Sequence, residues 1–344
     1  MSKEQLPPTM RIWEYAATDG GLEKNLKLHS APLPKPTSAQ HLIQVLAVGL
    51  NPVDYKPAEA FIGRLMVKKP ATPGFDIAGR IITPASGSNL SPGQLVFGAA
   101  STNPLAGSGL AEYVAAPTTS IAPLPSTGDF TPLVAAGTPV AAVTAYDSLI
   151  PFISPGTRVF LNGGSGGVGT YAIQIAKAAG AHVTVSCSAR NAELCRSLGA
   201  DEVLDYNASP SLLEQLRAQK QPLDHVVDNV FSDPALFFEA HTYTSPHAKF
   251  IEVASGPTLG FMKFALRASL LPGFLGGGKR KFVVLVSDIK GEKLEKIAGW
   301  VGEGKIKPVT DQVFGYEDVV GAFTRLKTGR ARGKVVVEIV GGGQ

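Results

Sequence analysis

Cysteine is scarce in this chain of 344 residues, in which Cys187 and Cys195 are the two examples. Two thiols cannot supply a four-cysteine zinc lobe, and they provide no disulfide framework of the kind that stabilises small secreted domains. Long apolar runs are absent as well, since the nearest candidate, residues 259–278, contains Lys263 and Arg267. A membrane-spanning helix is therefore not expected. Because the first residues form neither a signal peptide nor a transit peptide, we expect a cytoplasmic protein.

Charged residues are few, at 17%, and the net charge of +4 is spread along the chain. The compact basic run KRK at residues 279–281 is more typical of a solvated loop than of a nucleic-acid site, so nucleic acid is not an expected partner. A hydrophobic content of 44% indicates a globular protein, and 38 glycines with 26 prolines indicate many turns.

The composition changes along the chain and predicts two domains. Residues before about 125 combine proline, glycine and β-branched residues, as in a small β-rich domain. From residue 158 onward apolar strands alternate with helices, which favours parallel strands and right-handed crossovers in a doubly wound sheet. We therefore predict a β-rich domain over residues 1–126, completed by residues 306–344, and a doubly wound α/β domain over residues 127–305.

The alternation also predicts individual elements. Strands are expected at residues 158–161, 182–186, 202–204, 224–227, 249–253 and 282–286. Helices are expected at residues 167–179, 191–198 and 211–219. Near the C-terminus we expect a strand, an amphipathic helix and a final strand, with one helix face made of Val319, Val320, Phe323 and Leu326.

The segment GSGGVG, residues 164–169, follows an apolar strand and precedes an apolar-faced helix. A dinucleotide-binding G-x-G-x-x-G loop requires this order. Gly164 is expected to allow the tight turn, Gly166 to let the backbone approach a pyrophosphate, and Gly169 to permit close helix packing. The helix that begins near Gly167 would direct N–H groups at the phosphates. A glycine turn without a ligand is the alternative.

The end of the second strand lacks the acid that an NAD site offers to the ribose 2′-hydroxyl. The chain has VSCSARN there, in which Ser186 and Ser188 can donate hydrogen bonds and Arg190 can bind a 2′-phosphate through its guanidinium. A carboxylate at this place would repel that phosphate. We therefore expect NADPH as the cofactor, with Arg190 as an ordinary residue of a first helical turn as the alternative.

Several further segments carry a family resemblance. They are VGLNPVDYK, PGFDIAG, GSGLAEYV, AAVTAYDSL, LGADEVLDY and GRARGKVVVEI, together with the glycine-loop segment. Over essentially its whole length the chain resembles the medium-chain dehydrogenase/reductase superfamily, in its zinc-free quinone oxidoreductase branch. The pieces CSARN and GRARGK are most similar to the reticulon-interacting-protein-like and fungal quinone-reductase-like members. The resemblance implies a GroES-like β-rich domain and a doubly wound parallel Rossmann domain.

The resemblance also shows what is missing. Zinc alcohol dehydrogenases carry a Cys early in the β-rich domain and a G-H-E segment downstream, where this chain has NPVD at residues 51–54 and GFD at residues 74–76. Without thiolate and imidazole ligands no catalytic zinc is expected. Alcohol oxidation is then disfavoured, whereas reduction of a quinone or a polarised C=C needs no metal.

The resemblance also implies which residues of this chain bind the cofactor, because the family's cofactor-binding motifs match segments of this sequence. The pyrophosphate is expected to contact Ser165, Gly166, Gly167 and Val168. The adenosine 2′-phosphate is expected to lie among Ser188, Arg190 and Tyr206. The nicotinamide half is expected beside Asn229, Val253 and Val286. In related members the terminal GRAR segment also contacts the cofactor, so Arg330 and Arg332 are candidates, with a solvated basic turn as the alternative.

The resemblance places Asn51, Asp54 and Tyr55 at the mouth of the acceptor pocket. The amide of Asn51 could stabilise the substrate oxygen that gains charge. Tyr55 is the candidate proton donor, although packing is an equally good role for it and solvent could supply the proton. Phe61, Leu65 and Met66 are expected to wall the acceptor site or to belong to the core.

Residues 256–281 depart from the shorter family members. Phe261, Phe264, Ala265 and Leu271 could form an apolar helix face, with Lys263 and Arg267 at its rim. A lid or core helix is the favoured interpretation, and docking on a membrane or lipid-droplet surface is the alternative. By resemblance, residues 282–286 would form an edge strand that pairs across a dimer, so a homodimer or a monomer is expected.

Together these features predict an NADPH-dependent, zinc-independent reductase that transfers hydride to a quinone or an α,β-unsaturated carbonyl compound. One alternative is a stand-alone enoyl reductase of fatty-acid or polyketide synthesis. Another is a cofactor-binding protein with little turnover.

Overall fold

The computed structural model describes residues 6–61, 63–103, 105–126, 129–253 and 258–339. The chain divides into two compact units. The first unit comprises Met1–Val140, Asp288–Gly302 and Thr310–Gln344, and the second comprises Ala141–Ser287 and Glu303–Val309.

The elements are given in chain order within the described residues. The strands are β1 (Thr9–Glu14), β2 (Lys27–Pro32), β3 (Gln40–Leu50), β4 (Asp76–Thr83), β5 (Leu95–Ala99), β6 (Tyr113–Pro117), β7 (Ile121–Pro123), β8 (Arg158–Asn162), β9 (His182–Cys187), β10 (Glu202–Asp205), β11 (Leu223–Asp228), β12 (Thr244–Glu252), β13 (Lys281–Val284), β14 (Thr310–Gly315) and β15 (Lys334–Glu338). The helices are α1 (Lys56–Glu59), α2 (Gly63–Met66), α3 (Pro132–Ala136), α4 (Pro139–Leu149), α5 (Gly167–Ala178), α6 (Ala192–Ser197), α7 (Leu212–Arg217), α8 (Ala235–Phe238), α9 (Leu259–Leu270), α10 (Gly291–Gly302) and α11 (Val319–Lys327).

The first unit is built on a sheet with the strand order β14-β15-β3-β4-β5-β7, and β6 pairs with β3. All of these pairings are antiparallel except that of β14 with β15. Strand β3 has buried residues along most of its length, because it lies in the middle of the sheet. The buried side chains of β3, β4 and β15 meet those of α11 in one core, which includes Ile43, Ile77, Val335 and Phe323. This is the predicted GroES-like β-rich fold.

The second unit contains a parallel sheet in the order β10-β9-β8-β11-β12-β13. Counted from β8, this is the 3-2-1-4-5-6 order of doubly wound dinucleotide-binding sheets, and it confirms the predicted Rossmann fold. The order reverses between β8 and β11, and in such sheets ligands bind outside the carboxyl ends of the strands at that point. The glycine loop follows β8 and therefore begins at this switch point.

The C-terminal helix differs in one residue from the prediction. In α11, Val319 and Phe323 are fully buried and Leu326 packs against the same core, but Val320 is 38% exposed. One helical residue advances by about 100°, so Val320 lies beside the apolar face and not on it. None of the helices in the described part of the chain has the length and hydropathy of a transmembrane span.

Candidate active site

The glycine loop joins the end of β8 to the start of α5. The left-handed position is Gly163, with φ of 83°, and a Cβ there would lie 2.6 Å from Val230 Cγ2. The sequence assigned the tight turn to Gly164, but a Cβ on Gly164 would instead lie 2.8 Å from Cβ of Val185 in β9. Gly163 therefore makes the turn, and Gly164 allows the loop to pack closely on β9.

The other two glycines of the motif face different surroundings. A Cβ on Gly169 would lie 2.2 Å from the carbonyl oxygen of Gly163, so only glycine allows α5 to approach the loop this closely. A Cβ on Gly166 would have that same oxygen as its nearest neighbour, at 3.6 Å. The space beside Gly166 is thus open on the protein side, as approach of a phosphate requires.

The start of α5 has the properties of an anion site. Gly167, Val168 and Gly169 occupy the first turn, whose N–H groups have no partner within a helix. The first i to i−4 hydrogen bond of α5 comes from Thr170, whose N–H donates to the Gly166 carbonyl at 3.0 Å. Orphan donors and the positive end of the helix dipole together favour a phosphate at this position.

Buried polar side chains brace the loop against the sheet. Ser186 Oγ accepts from Gly163 N–H at 3.0 Å and donates to Asn162 Oδ1 at 2.5 Å. Asn162 Nδ2 donates to Asp228 Oδ1 at 2.8 Å, which joins the ends of β8 and β11. Ser186 is fully buried. Its hydroxyl therefore holds the turn and does not serve as the ribose donor that the sequence suggested.

Ser188 and Tyr206 lie at the same edge of the sheet, because Cys187 pairs with Asp205 and each is the last residue of its strand. Tyr206 N–H donates to the Cys187 carbonyl at 3.4 Å, and the Tyr206 side chain is 51% exposed. Ser188 is half-buried, and its Oγ has no hydrogen-bond partner among the described residues. Arg190 is exposed, on the turn that follows. The structure thus places the predicted 2′-phosphate residues at one edge of the second unit.

Asn191 is a residue at this edge that the sequence argument missed. It is buried, and its Nδ2 donates to Ser165 Oγ at 2.9 Å, so it links the turn after β9 to the glycine loop. Its Oδ1 has no partner within the part of the chain that the structure describes. The asparagine in CSARN was the available signal, since asparagine is favoured in turns, where its side chain forms hydrogen bonds.

The predicted nicotinamide residues follow β11, β12 and β13 at the same carboxyl edge. Asn229 donates from its backbone N–H and its Nδ2 to the Asn162 carbonyl at 3.2 Å and 3.1 Å, whereas its Oδ1 lacks a partner among the described residues. Val253 N–H donates to the Asp228 carbonyl at 2.9 Å. Val286 is 79% exposed. Unpaired buried polar atoms at Ser188, Asn191 and Asn229 are what a bound polar ligand would explain, so this edge fits a dinucleotide.

Arg330 and Arg332 belong to the first unit, on the turn between α11 and β15. Arg332 N–H donates to Asp311 Oδ1 at 2.9 Å, and both arginine side chains are exposed. Their contact with the cofactor stays a prediction.

In the first unit, Asn51 and Asp54 are held in a short turn after β3. Asp54 is buried, and its carboxylate accepts from Asn51 N–H at 2.7 Å and from Gly74 N–H at 3.1 Å. The Asn51 Nδ2 group donates to the Gly49 carbonyl at 3.2 Å and to Asp76 Oδ2 at 2.9 Å. Both amide hydrogens are therefore engaged, so the predicted donation to a substrate oxygen would need one of these bonds to be exchanged.

A buried lysine completes this group of side chains, and the sequence argument did not identify it. Lys334 Nζ donates to Asn51 Oδ1 and to the Leu50 carbonyl, the latter at 2.9 Å, and lies 3.6 Å from Asp76 Oδ2. Asp76 is fully buried and Lys334 nearly so. We call Asn51, Asp54, Asp76 and Lys334 the buried polar cluster.

Burial dominates the electrostatics of the buried polar cluster. It raises the pKa of Asp54 to about 7 and the pKa of Asp76 to about 6, while the ammonium of Lys334 opposes both increases. Burial also lowers the pKa of Lys334, against the attraction of the two carboxyl groups. The stability of the cluster therefore depends on the Lys334 ammonium and the two carboxyl groups being present together, because removal of one partner leaves the other buried without compensation.

Tyr55 is half-buried beside a second set of charges. Lys327 Nζ lies 5.3 Å from the centre of the Tyr55 ring and pairs with Glu23 at 2.6 Å and Glu59 at 2.7 Å. Burial, and after it the charge of Glu59, raise the pKa of Tyr55. The phenol therefore stays protonated at neutral pH, as a proton donor must.

The apolar residues predicted near the acceptor are strongly exposed. Phe61, Leu65 and Met66 have exposed fractions of 77%, 78% and 64%. They are therefore not core residues, whereas a role in the acceptor wall stays a prediction. Among the described residues, no three His, Cys, Asp or Glu side chains are grouped as a metal would need.

Known proteins match the chain in both parts. The family model described as "Alcohol dehydrogenase GroES-like domain" matches residues 37–126, and "Zinc-binding dehydrogenase" matches residues 198–337. The trans-enoyl reductase pgmF of Aspergillus terreus is 42% identical over 97% of this chain and 97% of its own. The chloroplast envelope quinone oxidoreductase homolog of Arabidopsis thaliana is 33% identical over 96% and 98%. The solved quinone oxidoreductase of Coxiella burnetii has a TM-score of 0.83 at 28% identity, over 96% of this chain and 100% of that chain.

A GroES-like unit together with a Rossmann unit that carries a glycine loop at its switch point defines a dinucleotide-dependent oxidoreductase. The chain belongs to the medium-chain dehydrogenase/reductase superfamily.

Proposed function

We propose that the protein is an NADPH-dependent, zinc-independent reductase that adds hydride to a quinone or to the C=C bond of an α,β-unsaturated carbonyl compound. The proposal rests on the residues at the carboxyl edge of the parallel sheet in the second unit. This edge combines the open space beside Gly166 with the unpaired hydroxyl of Ser188 and the exposed guanidinium of Arg190. When bound, the nicotinamide supplies the hydride.

By the resemblance, we assign positioning and proton-donor roles to residues of the first unit. Asn51 and Asp54 shape the turn after β3 through bonds within the buried polar cluster, and we assign them a positioning role.

Tyr55 follows that turn directly, and we propose it as the proton donor to the product, with water as the alternative source. Tyr55→Phe should therefore lower kcat, and an unchanged kcat would show that water supplies the proton.

Preference for NADPH gives a prediction for Arg190. Arg190→Ala should raise the KM for NADPH about ten- to one-hundredfold, because a charge-assisted bond to the 2′-phosphate is lost. The KM for NADH should change little. The matched control is Arg196→Ala, since Arg196 is also exposed and lies in the following helix, α6. Equal use of NADH and NADPH by the unaltered enzyme would refute the assignment.

Zinc independence gives a prediction for metal removal. By the resemblance, residues 51–54 and 74–76 stand where zinc enzymes of the family carry ligands, and they contain neither Cys nor His. The amide of Asn51 is also engaged within the buried polar cluster. Dialysis against a chelator should therefore leave the reductase activity unchanged. Stoichiometric zinc in the purified protein, lost together with activity, would contradict the proposal.

A second candidate is an enoyl reductase that acts in trans on an enoyl thioester. It is favoured by the 42% identity to the trans-enoyl reductase pgmF over 97% of both chains. NADPH oxidation measured against quinones, enals and enoyl thioesters separates the two candidates. A kcat/KM that is far higher for the thioesters supports the second. NADPH binding without oxidation by any acceptor would indicate a cofactor-binding protein with little turnover and contradict both.

A further inference from the structure

Helix α9 is anchored in the second unit by an aromatic cluster on one of its faces. The ring centre of Phe264 lies 4.9 Å from that of Phe231 and 5.3 Å from that of Phe282. The Phe261 ring packs edge-on against Phe231 at 5.1 Å. Phe264 is buried, so this face contacts the interior, whereas Leu271, which the sequence placed on the same face, follows the end of the helix and is 41% exposed. The orientation of the helix is therefore fixed.

The opposite side of α9 presents apolar side chains to solvent. Met262, Leu266 and Leu270 are spaced by four residues, and their exposed fractions are 46%, 62% and 69%. Side chains at this spacing form one stripe along a helix. Leu271 and Leu275 extend the apolar surface beyond the helix, with exposed fractions of 41% and 60%. We call these five side chains the outer apolar face.

The surrounding segment carries charge of one sign. Between residues 253 and 287 there is no Asp or Glu, and there are five basic residues, which are Lys263, Arg267, Lys279, Arg280 and Lys281. Among the described residues, none of the five pairs with a carboxylate. Arg267 and Arg280 donate to backbone carbonyls, so their guanidinium groups are held in place with their charge uncompensated.

The outer apolar face and the five basic residues around it together indicate which kind of surface would cover this part of the protein. In a symmetric dimer the same patch faces itself, so pairing through the outer apolar face would bring five basic residues against five. An anionic bilayer instead accepts apolar side chains at the acyl boundary and binds basic residues through lipid phosphates. We propose that the outer apolar face docks the protein on the surface of an anionic membrane.

Vesicle flotation tests this proposal. The purified full chain should bind vesicles of equal parts phosphatidylcholine and phosphatidylglycerol, bind phosphatidylcholine vesicles far less, and dissociate in high salt. The triple variant M262Q/L266Q/L270Q should lose binding to the anionic vesicles. Lys263→Gln and Lys281→Gln should each weaken binding about fivefold, as expected for one basic residue at a lipid surface.

The matched control is V313Q/V320Q, because both valines are similarly exposed but lie in the first unit. It should bind vesicles as the unaltered protein does, and all variants should keep their NADPH affinity. Equal binding to both kinds of vesicle, or binding to neither, would overturn the proposal. A change from dimer to monomer in M262Q/L266Q/L270Q without vesicles would also overturn it, since a second copy would then cover the face.

Discussion

Replacement of Gly166 by alanine is expected to weaken NADPH binding by at least about tenfold while leaving the fold intact, because hydrogen bonds to a charged phosphate contribute about 1.5–3 kcal/mol each. The backbone of Gly166 has φ of −80°, which alanine adopts freely. A methyl group there would meet the Gly163 carbonyl at an ordinary 3.6 Å. It would, however, fill the space through which the phosphates approach the backbone N–H groups.

Gly169→Ala should behave differently, although both glycines belong to the same motif. Its Cβ would lie 2.2 Å from the Gly163 carbonyl oxygen and 2.7 Å from the Gly164 carbonyl, so the backbone of the loop must move. Overpacking of this kind costs about 1–3 kcal/mol or more of stability. NADPH affinity and the thermal unfolding midpoint should therefore both fall.

NADPH titration by fluorescence and thermal unfolding without cofactor distinguish the two variants. Gly299→Ala is the matched control, since Gly299 lies in α10 and a Cβ there meets nothing within 4 Å. This control should bind and unfold as the unaltered protein does, or be slightly more stable. The assignment of the loop would be wrong if Gly166→Ala bound NADPH normally, or if it lowered the unfolding midpoint as much as Gly169→Ala.

The glycine loop shows which features the sequence could predict and which it could not. The alternation of strands and helices placed the sheet of the second unit within a few residues, because buried parallel strands are continuous apolar runs between helices. The motif also located the cofactor loop. It did not identify Gly163, outside the motif, as the left-handed position, and a local pattern cannot show the approach of Val230 from another strand end.

The buried polar cluster shows a different limit. Asn51 and Asp54 were identified through their motif, but Lys334 lies 283 residues from Asn51, and only the pairing of β15 with β3 brings them together. A lysine at the start of the apolar strand KVVVE was the available signal. Local patterns cannot show whether such a residue faces solvent or a buried carboxylate, because that depends on strand order and register.

The buried pair gives the prediction with the largest effect on stability. Lys334→Met should lower the free energy of unfolding by about 3–5 kcal/mol at pH 8, because it removes the cation beside the buried Asp76 carboxyl group. Asn51 Oδ1 and the Leu50 carbonyl would also lose their donor. Lys305→Met, which alters a lysine that is 54% exposed, is the control and should change stability by less than about 0.5 kcal/mol.

The loss should also depend on pH, with a sign that follows from the pKa of Asp76. A carboxyl group with a raised folded-state pKa stabilises the fold at low pH and loses that contribution as the pH rises through the folded value. With Lys334 present, the contribution of Asp76 is lost between its ordinary pKa of 3.8 and about 6. Without the ammonium the pKa rises further, so the variant continues to lose stability above pH 6. The pKa of Asp54, about 7 in the unaltered protein, also rises when the ammonium is removed, so Asp54 changes the stability in the same direction.

Denaturant unfolding at pH 5 and pH 8 measures this difference. The deficit of Lys334→Met should be smaller at pH 5, where Asp76 can take up a proton and remain buried as a neutral acid. The double variant D76N/K334M should recover part of the loss at pH 8, because the Asp76 carboxylate no longer remains without its cation, and only part, because Asp54 does. A deficit that is equal at both pH values, or larger at pH 5, would show that Lys334 acts through packing. The attraction between its ammonium and the Asp76 carboxylate would then contribute little to the stability of the first unit.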